Sequence, residues 1–169
     1  MKTKKCDIPS DSLVMKYLPA DYKDSFQVVP DKDISVTPDD LMVRFWTDMP
    51  GWVNALFKLR NFLVRFVGLK GTEGDRLDEF ESCIRNGGCY QFIEMLAKDE
   101  WETVMLMKDK HLDAYMSVRI RDSRNVHVNT LVKYNNRLGR VYFFVIRPFH
   151  GLVVRGVLRR AVKRVQAGR

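Results

Sequence analysis

The sequence predicts an α+β domain in which a curved antiparallel sheet packs on a basic C-terminal helix. Three observations carry that expectation. Apolar and polar residues alternate with a period of two from Leu112 to Ile120 and again from Val126 to Tyr134. Phe149, Val153, Val157, Ala161 and Val165 recur every four residues, as one face of a helix does. Helix signals also precede the strands, and a run of strands followed by a helix argues α+β rather than α/β.

The first twenty residues are polar and mixed, and they read as a loosely attached arm before a single domain over 21–169. Ser25 to Val29 reads as a first strand ended by Pro30. Thr37-Pro38-Asp39-Asp40 is a helix start: a threonine cap, proline at the first helical position and acids in the first turn. That helix runs to about Trp46 and buries Leu41, Met42, Phe45 and Trp46. A second opens at Pro50 and continues to about Val67 with a broad apolar face. Gly71 to Gly74 reads as a loop, and Asp75 to Arg85 as a short helix closed by Gly87-Gly88.

From Tyr90 the period changes to two. Strands are expected at Tyr90–Ala97, Glu102–Lys108, Leu112–Ile120 and Val126–Tyr134, with Val118 and Val128 both facing the core. Asn135 to Gly139 reads as a hairpin loop leading to a last strand, Arg140–Ile146, ended by Pro148. The chain closes in a helix from about Phe149 to Gln166.

The 169 residues supply ample core material without a metal or disulfide framework. The three cysteines, Cys6, Cys83 and Cys89, form no CxxC pair, which fits a reducing, cytoplasmic setting. Met1-Lys2-Thr3-Lys4-Lys5 is followed by no apolar run, so no export signal is read there. Trp52 to Leu69 contains Lys58, Arg60, Asn61 and Arg65 and is too polar for a membrane span.

The net charge of +8 is unevenly placed. No acid follows Asp122, whereas eleven lysines and arginines do. Arg155, Arg159 and Lys163 line one side of the last helix, which admits weak contact with a polyanion or an anionic membrane and no sequence-specific nucleic-acid reading. The plainer account is that cations near a helix C-terminus complement its dipole.

Few residues point to chemistry. His111, His127 and His150 have no metal-ligand spacing, no serine stands in a nucleophile elbow, and no GxGxxG follows a strand, so no metal and no cofactor are read. His150 beside Arg147 either caps the last helix or holds an acidic ligand group at a cavity mouth. Arg60 and Asp113 form either an ion pair or part of a polar anchor. Tyr115 and Tyr142 stand on expected strands with their direction open. Met105 and Met116 either pack a core or line an adaptable apolar space.

Three blocks of residues carry a family resemblance. The first is Pro50-Gly51-Trp52-Val53 with Leu59-Arg60-Asn61 and Gly68-Leu69-Lys70; the second is His111-Leu112-Asp113 with Ser117-Val118. The third joins Thr130, Val132, Leu138-Gly139-Arg140 and Tyr142 to Ile146-Arg147-Pro148-Phe149-His150 and Val153-Val154. Over roughly Pro50 to Leu158 the chain resembles the bacterial domain of unknown function family numbered 2867. The element order is similar to the helix-grip fold of the START and birch-pollen-allergen (SRPBCC) superfamily.

That resemblance implies a cavity between sheet and last helix that takes a lipid-like or aromatic ligand, with Arg60, Met105, Asp113, Tyr115, Met116, Tyr142, Arg147 and His150 as candidate contacts. The expected function is a small-molecule-binding module. The alternatives are an enzyme of cyclase, aromatase or hydrolase type in the same cavity, or surface binding through the basic helix.

Overall fold

The computed structural model describes residues 1–56 and 77–168. The second helix beyond residue 56, the Gly71–Gly74 loop and Arg60 lie outside the described residues.

A seven-stranded antiparallel sheet forms one layer, in the order β1-β2-β7-β6-β5-β4-β3. Its strands are β1 (Thr3–Cys6), β2 (Tyr22–Val28), β3 (Cys89–Tyr90), β4 (Ile93–Lys98), β5 (Glu102–Lys108), β6 (Leu112–Asp122) and β7 (Asn125–Tyr134). The helices are α1 (Pro38–Thr47), α2 (residues 51–56), α3 (Leu77–Asn86) and α4 (Arg137–Gln166). The sheet is curved and packs on α4, as a helix-grip arrangement requires.

The alternating strands behave as their pattern demands. Val118 pairs with Val128 across β6 and β7, and both are fully buried. Met105 pairs with Met116 across β5 and β6 in the same core, beside Leu41, Met42, Val157 and Leu158. Thr37 caps α1 through a capping box, accepting from the Asp40 amide while the Asp40 carboxylate accepts from the Thr37 amide. Gly87 and Gly88 follow α3 with φ of 78° and 124°, values that an L side chain rarely adopts.

Residues 1–20 are woven into the fold, contrary to the loose arm expected of their composition. Thr3–Cys6 pairs with β2, and a 3-10 helix at Leu13–Tyr17 buries Val14 against Val104 and Leu131 on the outer face of the sheet. Period-two reading of β6 places Ser117 and Arg119 toward water, yet both are buried beneath this segment. Glu102 lies with them. It accepts from the Ser12 hydroxyl at 2.6 Å and from the Leu13 amide at 2.8 Å, while Arg119 reaches both Glu102 and Asp11. Asn129 joins the network, accepting from Ser25 at 2.7 Å and donating to Ser117 at 2.9 Å. Charged groups taken out of water need such partners, so the network fastens the N-terminal segment to the sheet.

The last strand expected at Arg140–Ile146 is helix instead. α4 starts at Arg137 under an Asn136 cap that accepts from the Gly139 amide, and it continues through Pro148. Proline removes the hydrogen bond that the carbonyl four residues earlier would receive. That carbonyl belongs to Phe144, whose residue is highly exposed, so water can satisfy it. The face of α4 also differs from expectation: Val154, Val157, Leu158, Ala161 and Val162 are buried, whereas Phe149 is exposed.

Candidate functional site

β2 sends Tyr22, Asp24 and Phe26 to its inner face, as alternate residues of a strand must. α4 crosses them with Arg147, His150, Gly151 and Arg155, which lie on the same side of the helix at spacings of three and four. β1 adds Lys5, the partner of Phe26 across the ladder.

Between these elements runs a groove of about 390 Å³, open to solvent and lined by Lys5, Tyr22, Phe26, Phe144, Arg147, Pro148, Gly151 and Arg155. Its floor is aromatic. Gly151 makes room for it, since a Cβ there would stand 3.1 Å from the Phe26 ring. Two cations bracket the floor: the Arg147 guanidinium lies 5.3 Å from the centre of the Tyr22 ring, and that of Arg155 lies 5.5 Å from the centre of Phe26. Arg155 is further held by donating from Nε to the Gly151 carbonyl at 2.8 Å. Phe144 forms an outer wall and is 75% exposed.

Beneath the floor sits a buried carboxylate. Asp24 is only 3% exposed and accepts from the Tyr22 hydroxyl at 2.6 Å. His150 Nε2 lies 3.4 Å from the same Asp24 oxygen. Burial pushes the Tyr22 hydroxyl pKa far above its ordinary value, and the bond to Asp24 and that group's negative charge raise it further; the Arg147 charge opposes them. Tyr22 therefore stays a neutral hydroxyl, and its ring edge meets Phe143 and His150.

Among the described residues, two of those singled out in the sequence meet at this place. Arg147 lines the groove, and His150 turns inward to Asp24 rather than outward to a ligand. Met105 and Met116 pack in the core. Asp113 accepts from the Asn135 side chain at 3.2 Å. Tyr115 is on the outer face of the sheet, stacked on Tyr17 at 5.1 Å beneath the Lys133 ammonium. Tyr142 stands half-buried on α4 rather than on a strand.

Sequence reading missed Lys5, Tyr22, Asp24 and Phe26. Their signal was present in the alternation Tyr22-Lys23-Asp24-Ser25-Phe26, which starts three residues before the strand that was read.

A second basic groove lies at the far end of α4, where Arg159, Arg160, Lys163 and Arg164 surround Pro50 and Gly156. Arg160 and Arg164 both pair with Asp48, at 2.9 and 2.7 Å. Among the described residues no cluster of His, Cys, Asp and Glu could hold a metal ion.

The fold and groove define an α+β domain with an antiparallel sheet on a long C-terminal helix and a cation-rimmed aromatic cleft at their junction. The family described as protein of unknown function (DUF2867) has a sequence model that matches residues 17–157, and the chain belongs to that family. No curated protein and no solved structure matches the chain.

Proposed function

We propose that this domain is a binding module for a small amphipathic anion, an aromatic or fatty carboxylate. The observation that carries this reading is the convergence of Lys5, Arg147 and Arg155 on a floor of Tyr22, Phe26 and Pro148. An apolar or aromatic body lies flat on the rings, and the acidic group meets the three cations. Sites for small molecules combine mainly apolar walls with a few polar anchors in this way, at about this volume. The ligand sits in a surface cleft between sheet and helix rather than in an enclosed cavity, because the methionines that would line a cavity fill the core.

Kinship with the START and birch-pollen-allergen superfamily is part of this reading, and the helix-grip arrangement supports it. A bacterial cytoplasmic setting belongs to it as well. Free Cys6, Cys83 and Cys89 favour such a reducing compartment.

A catalytic reading has one observation behind it, the Asp24–Tyr22–His150 cluster under the groove floor. A cyclase, aromatase or hydrolase would work through the Tyr22 hydroxyl, the member of that cluster that lines the groove. Its raised pKa keeps its one hydrogen on the oxygen, and that hydrogen already goes to Asp24, so toward a bound compound it offers a lone pair rather than a proton or a base.

Calorimetric and thermal-melt titrations with decanoate and 1-naphthoate, each beside its neutral alcohol, test the binding reading. At about a hundred times its dissociation constant a bound acid adds about 2.7 kcal/mol of stability. Saturable binding of an acid with weaker binding of its alcohol supports the proposal. Absence of binding by both acids overturns it, and conversion of either compound would favour the catalytic reading instead.

A further inference from the structure

The outward face of α4 is apolar where a helix packed on a sheet should be polar. Val141, Phe144, Val145, Phe149 and Leu152 are all exposed, the first at 61% and Phe149 at 53%. Their spacing places them in one stripe, on the side opposite Phe143 and Val154, which face the sheet. Trp52, itself exposed, extends the stripe toward the C-terminus by lying against Gly156, where a Cβ would stand 2.6 Å from its ring.

Beyond Trp52 the same outward side becomes cationic, with Arg159, Arg160, Lys163 and Arg164. Asp48 neutralises part of the charge on Arg160 and Arg164, whereas Arg159 donates to the Thr3 hydroxyl and Lys163 has no acidic partner among the described residues. An apolar stripe that ends in uncompensated cations complements one surface in particular: a bilayer whose headgroups are anionic and whose boundary is apolar.

From this face we infer that α4 docks the domain on an anionic membrane surface, with the Val141–Leu152 stripe lying in the headgroup boundary and Arg159 and Lys163 on lipid phosphates. The helix lies on the membrane and does not cross it. α4 is long and apolar enough by length and composition to span, and only 22% of its most apolar 18-residue stretch is buried. Spanning, however, would tear Val157, Leu158, Ala161 and Val162 from the core, where each is fully buried. Phe144 belongs to both the stripe and the groove wall, but Val141, Val145, Phe149 and Leu152 lie outside the groove, so this docking stands whether or not the groove takes a soluble acid.

The test is co-sedimentation of the full chain with vesicles of phosphatidylcholine alone and of phosphatidylcholine mixed equally with phosphatidylglycerol, with the oligomeric state measured alongside. Binding to the mixed vesicles, weak binding to the neutral ones, and weakening by salt are expected. Phe149→Asp should reduce binding by at least about tenfold. Arg159→Gln with Lys163→Gln should reduce it by about 30-fold, while melting stays near wild type. Lys5→Gln, a change at the groove alone, should leave vesicle binding intact. Equal binding to both vesicle types overturns the inference. So does a dimer that Phe149→Asp converts to monomer without any vesicle binding, which would assign the face to a second copy. A monomer that ignores both vesicle types overturns it equally.

Discussion

His150 Nε2 stands 3.4 Å from Asp24 Oδ2, joining the middle of α4 to the inner face of β2 at a point closed to solvent on the strand side. The same oxygen accepts from Tyr22. Asp24→Ala would remove the acceptor from the Tyr22 hydroxyl and leave His150 facing a void. His150 Nε2 makes no hydrogen bond to Asp24, so the loss is that of the Tyr22 bond: a buried donor deprived of its acceptor costs about 1–3 kcal/mol, and urea unfolding should show a loss of about 2 kcal/mol. Asp24→Asn keeps an oxygen for Tyr22 and should cost about half as much. An alanine variant as stable as wild type would show that this contact does not hold helix to sheet.

Stability should also fall as the solution is acidified through neutrality, and His127 is the reason. Its pKa is lowered from the ordinary value of 6.5, first by burial and then by the nearby Arg119 charge; Glu102 opposes them in part, and Lys4 and Asp122 add smaller effects of opposite sign. Cys6 Sγ lies 3.7 Å from its Nδ1. Below 6.5 the unfolded chain protonates this histidine while the folded chain resists, so the unfolded state binds more protons. The stability that neutral His127 contributes is therefore present above pH 6.5 and lost as pH falls toward the lower folded value. His127→Gln should flatten the slope of unfolding free energy between pH 7 and 5 relative to wild type. Identical slopes in the two proteins would contradict the assignment.

Gly139 sits in the first turn of α4, directly against the loop that carries His111. A Cβ there would overlap the His111 carbonyl oxygen and stand 2.7 Å from its carbon. That carbonyl is fixed by the Asn135 amide at 2.9 Å, so neither side can give way cheaply. Gly139→Ala should cost about 3 kcal/mol or more in chemical denaturation. Gly51→Ala, with nothing within 4 Å of its added carbon, serves as the control and should be nearly neutral.

Legibility from the sequence followed the physics of each segment. β6 and β7 could be read because one face is core and the pattern has a period of two, and the capping box of α1 announces itself locally. The first half of α4 could not be read, since Val141 to Ile146 is β-branched and aromatic throughout. Its residues are apolar toward the sheet and apolar toward the outside, so no helical period stands out. The N-terminal segment misled for the opposite reason. Val14 is its one fully buried apolar residue, Ile8, Leu13 and Leu18 pack beside it only in part, and much of its attachment is polar, through Ser12, Glu102 and Arg119. A buried ionic network leaves no hydrophobic signature. The groove needs β1 beside β2 and α4 across both, so a reading that treated residues 1–20 as an arm could not assemble it.

Charge at the groove should separate from stability there, and this is the sharpest check on the binding reading. Lys5 and Arg147 are both exposed, and neither has an acidic partner among the described residues, so neutralising Lys5 should leave the melt unchanged within about 0.5 kcal/mol. Neutralising Arg147, which also lies over the Tyr22 ring, should cost no more than about 1 kcal/mol. A hydrogen bond to a charged group contributes about 1.5–3 kcal/mol, although screening at an exposed rim trims that figure. Lys5→Gln and Arg147→Gln should therefore each weaken decanoate or 1-naphthoate about fivefold to tenfold while leaving the neutral alcohols unchanged. Added salt should weaken the acids in wild type and have less effect in either variant. Phe144→Ala removes an outer wall that is mostly exposed, so it should weaken acid and alcohol alike with little change in folding stability. The reading predicts two separable losses, one of charge and one of contact area. If Lys5→Gln and Phe144→Ala gave the same ratio of acid to alcohol affinity, the three cations would not be recognising the acidic group. The groove would then be an apolar cleft without selectivity for anions.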